Sequence, residues 1–338
     1  MKTIEQVEEI MTIPSNELIE DLKKLDGDIM ILGVAGKMGP TLAKMAVRAL
    51  KEGTIPKRVI GVSRFSSGTL QSELEQAGVE TIAADLLDDQ QLMGLPDVKN
   101  IIYMAGTKFG TKGNEHNTWA MNAYLPGRVA EKFKQSRIVV FSTGNVYPLV
   151  PVATGGCDEN HSVNPIGEYA QSCLGRERIF TNFSLKNQTP LTIFRLNYAI
   201  DMRYGVLLEI ARQVYAGKTV DLTMGHVNVI WQGDANEYAI RSLLLANTPP
   251  EILNVTGPET ISVRWLAEQF GKAFNKEVSF ANEEQPTALL NNSGKAHKLF
   301  GYPRVSLNQM IEWTAEWVAG GGVTINKPTH FQERQGAY

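Results

Sequence analysis

The chain of 338 residues reads as an α/β protein with a doubly wound parallel sheet and a smaller C-terminal part. Three observations carry this reading: short apolar runs recur along the first 200 residues, helical stretches separate them, and glycines follow the first run at once. Strands buried on both faces of a parallel sheet show such continuous apolar runs.

In chain order, residues 3–25 place Ile4, Val7, Ile10 and Met11, then Leu18, Ile19 and Leu22, at helical spacing, with Pro14 and Ser15 between them. This spacing predicts a two-helix extension over residues 1–27, lying on the core. From Asp28 the run IMILGV predicts the first strand, and a helix follows from about Lys37 to Lys51. Further strands are predicted at 58–63, 79–84, 100–106, 137–143 and 191–197, completing a nucleotide-fold unit over 28–200 that also receives about 229–257. Helix patterns near 204–216, 234–247, 263–274 and 306–318 follow. Residues 201–228 and 258–320 are assigned to a substrate-binding part, and 321–338 to a surface tail.

Composition excludes several classes of function. Apolar residues make up 43% and charged ones 20%, enough to bury an extensive core, and the net charge of −3 comes without a basic run that would track nucleic acid. No apolar run reaches the length of a membrane span, and the acidic first residues do not resemble a secretory signal. Two cysteines, Cys157 and Cys173, suit a reducing compartment, so a cytoplasmic location is expected. The five histidines lack metal-ligand spacing, and no metal site is expected.

The stretch GVAGKMG spaces Gly33, Gly36 and Gly39 as GxxGxxG between a strand and a helix. Backbone without side chains can approach a pyrophosphate, and the helix N-terminus offers free amides with partial positive charge. The loop therefore predicts a Rossmann-type NAD(P) site, with Lys37 and Met38 inside it. At the end of the second strand stand Ser63 and Arg64, and no acid appears until Glu73. A carboxylate there would accept the adenosine ribose hydroxyl, whereas an arginine accommodates a 2′-phosphate, so NADP is favoured over NAD. Asp85, next to Leu86, is placed either to accept the adenine amino group or to cap the following helix. Met104, Ala105 and Gly106 are expected along the middle of the cofactor.

Together, GVAGKMG, ADLLDD, YMAG, FSTGNVY and PIGEYAQSC resemble the extended short-chain dehydrogenase/reductase superfamily, in its NAD-dependent epimerase/dehydratase branch, over about residues 28–318. The resemblance implies hydride transfer to nicotinamide while a tyrosine takes a hydroxyl proton. Tyr169 matches that tyrosine and Thr143 the hydroxyl residue beside it; Tyr169 and Asn197 also count among the expected cofactor contacts. The family's lysine, four residues after the tyrosine, is Cys173 here. On one helix Tyr169, Cys173 and Arg176 fall at i, i+4 and i+7, which makes Arg176 the candidate replacement cation, with Lys108 as a second.

Lys108, Asn145, Tyr147, Glu168 and Tyr198 are the candidate substrate contacts, by position at the carboxyl edge of the sheet. Their polar mixture fits a hydroxylated, sugar-like small molecule. The resemblance also implies a homodimer formed through helices near 114–134 and 165–185. Two functions follow: an NAD(P)-dependent oxidoreductase or epimerase/dehydratase, or a non-catalytic dinucleotide-binding protein that has lost the lysine.

Overall fold

The computed structural model describes residues 2–66, 68–108, 110–327 and 329–336. Its main sheet comprises β1 (Ile29–Leu32), β2 (Val59–Ser63), β3 (Glu80–Ala83), β4 (Asn100–Tyr103), β5 (Arg137–Thr143), β6 (Leu191–Leu196) and β7 (Glu251–Val255). All pairs are parallel, in the order β7-β6-β5-β4-β1-β2-β3. Every strand expected from the sequence forms, and the segment near 252–257 joins the sheet as its edge.

Alternation along β1 divides the core. Ile29 and Ile31 face a layer that holds the Gly39–Glu52 and Gln232–Arg241 helices, while Met30 and Leu32 face a layer with Leu125, Val129 and Phe180. The chain leaves β1 toward β2 on one side and returns to β4 on the other. The crevice above β1 and β4 is therefore a topological switch point, where sheets of this kind bind ligands.

A separate apolar core unites the Val206–Tyr215, Val263–Phe274 and Leu307–Ala319 helices, including Leu207, Leu266 and Trp317. The N-terminal extension forms helices Ile4–Met11 and Asn16–Lys24, capped by Thr3 and Ser15. Val7 and Met11 are fully buried, and Glu8 pairs with both Lys44 and Arg203, so the extension bridges the two parts.

The segment assigned to a surface tail does not stay on the surface. Thr329 and Phe331 are each only 2% exposed, because Phe331 inserts into the second core. No helix among the described residues is long and apolar enough to cross a membrane, and no group of three or more His, Cys, Asp or Glu among them is placed to hold a metal ion.

Candidate functional site

A cavity of about 640 Å³ opens at the carboxyl ends of β1, β4, β5 and β6. Of the sequence candidates, Gly33, Gly36, Lys37, Met38, Met104, Gly106, Lys108, Thr143, Asn145, Tyr169, Arg176, Asn197 and Tyr198 line it. Distant parts of the chain meet there because each follows a strand of one sheet.

The glycine loop has three distinct steric roles. Gly33 adopts φ +88°, and a Cβ there would lie 2.7 Å from the Ala105 backbone nitrogen, so glycine lets β1 approach the segment after β4. Gly36 lines the cavity and leaves the loop backbone bare toward it. Gly39 lies off the cavity: a Cβ would meet the Val34 carbonyl oxygen at 2.1 Å, so its absence lets the helix pack on the strand.

Seven other candidates also lie off the cavity lining. Ala105 and Leu86 are packed at 7% exposure, and Ser63 and Arg64 stand at the end of β2, on the same carboxyl edge of the sheet but outside the cavity lining, with Arg64 exposed. Asp85 closes a turn by accepting from the Leu87 amide at 3.0 Å; the helix cap is Asp88. Tyr147 is 2% exposed, donating to Asn254 Oδ1 at 3.0 Å and accepting from Arg195 Nη1 at 2.6 Å, so it belongs to the core. Glu168 turns outward and accepts from Trp119 Nε1 at 2.5 Å.

Tyr169, Cys173 and Arg176 share one face of the Gly167–Asn187 helix. The Tyr169 hydroxyl interacts with the side chains of Thr143 and Cys173, and Thr143 Oγ1 donates to Asn145 Oδ1 at 2.9 Å. Loss of surrounding water pushes the Tyr169 phenol well above its ordinary range; Cys173 adds to this, while Arg176 and the Thr143 bond oppose it.

Arg176 is 6% exposed. Nη1 donates to the Phe141 carbonyl at 2.8 Å and Nη2 to Asn122 Oδ1 at 2.7 Å, whereas buried Nε has no partner among the described residues. Neither acceptor is a carboxylate, and the carboxylate that acts on this buried guanidinium, Glu177, is itself paired with Arg195. Asn122, which the sequence reading missed, lies in a π-helical segment, Ala120–Tyr124, and also holds the Thr107 backbone and Ser172. Its signal is the local break in helical pitch, which exists only in the folded chain.

Two half-buried lysines complete the electrostatics. Lys37 Nζ donates to the Ala199 carbonyl at 2.9 Å and sits 4.0 Å from the Tyr204 ring centroid. Burial pushes it down to about 7, offset in part by Asp201 and reinforced by Lys108 and Arg203. Lys108 Nζ lies 5.8 Å from the Tyr169 ring centroid, and burial brings it to about 8 against the pull of Cys173 and Glu209. Among the described residues Lys37, Lys108, Arg176 and Lys327 line the cavity, and no aspartate or glutamate does.

The strand order and the glycine loop define an NAD(P)-binding Rossmann fold. Residues 29–231 match the model of the NAD dependent epimerase/dehydratase family, and the chain belongs to that family. Similar solved structures include Pal from Bacillus thuringiensis, 18% identical with a TM-score of 0.70 over 86% of this chain and 99% of that one. Thermus thermophilus UDP-glucose 4-epimerase in complex with NAD is 18% identical, with a TM-score of 0.70 over 87% and 99% of the two chains. Bacillus cereus UDP-glucuronic acid 4-epimerase, solved with UDP-glucuronic acid and NAD, is 18% identical with a TM-score of 0.69 over 86% and 99%. No curated protein matches the chain by sequence.

Proposed function

We propose that the protein is an NADP-preferring enzyme that oxidises or epimerises a hydroxyl-bearing carbon of a sugar-like substrate. The observation that carries this is that Tyr169 and Thr143, which act on each other, both line the cavity that starts at the glycine loop. The cavity fits a dinucleotide: its volume is in the range of cofactor sites, and Gly33 and Gly36 leave backbone bare at one end. Gly33, Gly36, Lys37 and Met38 would hold the pyrophosphate, with Met104, Gly106 and Asn197 along its length. When bound, the oxidised nicotinamide supplies the hydride acceptor.

Tyr169 takes the proton of the substrate hydroxyl as the carbon–hydrogen bond breaks, and returns it in the reverse direction. Thr143 bonds the same oxygen and fixes its orientation. A phenol raised by burial is protonated at neutral pH, so removing a proton with it requires positive charge nearby. Arg176 on the same helix and Lys108 across the cavity supply that charge in place of the family lysine. Asn145 and Tyr198 provide polar contacts to the substrate. The similar structures with UDP-sugars support a sugar-like substrate.

The preference for NADP rests on Arg64, which is exposed just after β2, in a stretch of sequence with no acid before Glu73. The similar epimerase structures hold NAD. A homodimer is supported by exposed Trp119, Tyr124 and Leu185 on the helical layer that includes Gly167–Asn187, and a cytoplasmic site by the two unpaired cysteines.

Calorimetric titration with NADPH, NADP, NADH and NAD, on the native chain and Arg64→Ala, tests the cofactor assignment. Tight NADP(H) binding that the variant loses supports the reading; failure of all four to bind overturns it. The second reading, a non-catalytic dinucleotide binder, is favoured by one observation, the buried and uncharged Cys173 beside Tyr169 where the family lysine would stand. Tight cofactor binding with no hydride exchange across a panel of sugars and sugar nucleotides would establish it.

A further inference from the structure

The segment from Val323 to Gly336 returns to the cavity. It is fastened at six places. Trp317 Nε1 donates to the Val323 carbonyl at 3.1 Å, and the Ile325 amide donates to the Arg203 carbonyl at 3.0 Å. Thr329 bonds Glu209 through both its amide, at 3.1 Å, and its hydroxyl. Phe331 is 2% exposed in the second core, and Arg334 Nη1 donates to the Thr287 carbonyl at 2.7 Å. Gly336 packs so closely on Gly167 that a Cβ on Gly167 would lie 2.3 Å from the Gly336 carbonyl oxygen, two residues before Tyr169.

Between these anchors Ile325, Lys327 and Thr329 line the main cavity, and Lys327 and Thr329 also line an adjoining chamber of about 260 Å³ with Arg203 and Arg212. Glu209 also lines that chamber, but it is held by Thr329, and Arg203 is paired with Asp201. Arg212 and Lys327 have no carboxylate partner among the described residues.

We infer that the C-terminal segment forms a wall of the substrate site, and that Lys327 on it selects a substrate with a negatively charged substituent over a neutral one. This rests on the redox reading above. Two independent features support it. Among the described residues every charged side chain lining the main cavity is cationic, in a chain whose net charge is −3. The segment is tied to both the second core and the start of the Tyr169 helix, so its position is coupled to the reacting phenol.

The test uses bound NADPH as a reporter, since emission of the reduced nicotinamide falls when water reaches it. Deleting Val323–Tyr338 is expected to leave NADPH affinity within about threefold, because the glycine loop is untouched, and to halve the emission of the bound cofactor or more. Lys327→Glu is expected to cut collisional quenching of that emission by iodide about twofold, while quenching by neutral acrylamide stays the same. Lys327 is exposed, so this variant folds even if the deletion does not. Unchanged emission in a folded deletion, or unchanged iodide quenching in Lys327→Glu, overturns the proposal. A native chain that binds no nicotinamide cofactor overturns the redox reading instead, and this inference with it.

Discussion

Cys173 stands one helical turn after Tyr169, 1% exposed, with its thiol acting on the Tyr169 hydroxyl. A side chain that would have carried a charge toward the phenol is replaced by a small, uncharged one. Burial raises the Cys173 thiol, so it adds no anion at neutral pH.

Replacing it tests how much the lost charge matters. Cys173→Lys places an ammonium beside the phenol, and each unit by which the Tyr169 pKa falls raises the phenolate fraction about tenfold. Hydride transfer near pH 7 is expected to rise by at least about tenfold, with the pH profile moved to lower pH. An unmoved profile would mean that Arg176 and Lys108 already supply the charge.

Tyr169→Phe removes the acid/base group and keeps the ring. Turnover is expected to fall by about 10³-fold with cofactor affinity unchanged, and Thr143→Ala by a smaller factor. Single-turnover kinetics beside cofactor titration separates the two quantities. A Tyr169→Phe variant with full turnover would remove Tyr169 from the chemistry.

Lys37 and Lys108 make ligand binding pH-dependent. Their folded values, about 7 and about 8, lie below the ordinary 10.5, so both have lost much of their charge at pH 8 to 9. A bound anion raises them again, so binding NADPH near pH 8.5 is expected to take up about one proton, and binding at pH 6 almost none. Calorimetry in two buffers of different ionisation enthalpy measures this. The linkage to stability has the same origin: the charged lysines disfavour the folded state fully below about pH 7, and the penalty fades as pH rises toward 10.5.

Beneath Thr143 lies a buried ion pair. Glu177 accepts from Arg195 at 2.9 and 2.7 Å and from Ser142 at 2.5 Å, with the two charged side chains 3% and 5% exposed. Glu177→Ala leaves Arg195 buried and uncompensated, and is expected to cost about 3–5 kcal/mol in urea unfolding. Tyr147→Phe, which removes only one neighbour of Arg195, is expected to cost about 1 kcal/mol and to leave ligand binding intact. A selective loss of substrate affinity in Tyr147→Phe would contradict its place in the core.

The sheet was legible because its strands announce themselves locally. A strand buried on both faces must be apolar along its length, and the segments from Ile29, Val59, Asn100, Arg137 and Leu191 satisfy that without reference to one another. The glycine loop was legible for the same reason, since a positive φ at Gly33 and a close approach at Gly39 exclude side chains. Tyr147 misled because a tyrosine after a strand can face either the crevice or the core, and the difference lies in Arg195 and Asn254, far along the chain.

The sequence by itself determined the layered α/β architecture, the cofactor loop, and the spacing that puts Tyr169, Cys173 and Arg176 on one helix face. These depend on local periodicity and on residue types that a given backbone shape demands. Only the tertiary structure decided that Arg176 is buried against Phe141 and Asn122, that Lys37 crosses to Ala199, and that Lys327 and Thr329 enter the cavity. Those contacts join residues tens to hundreds of positions apart, and what joins them is burial of apolar surface across the whole chain, which leaves no trace in any one segment.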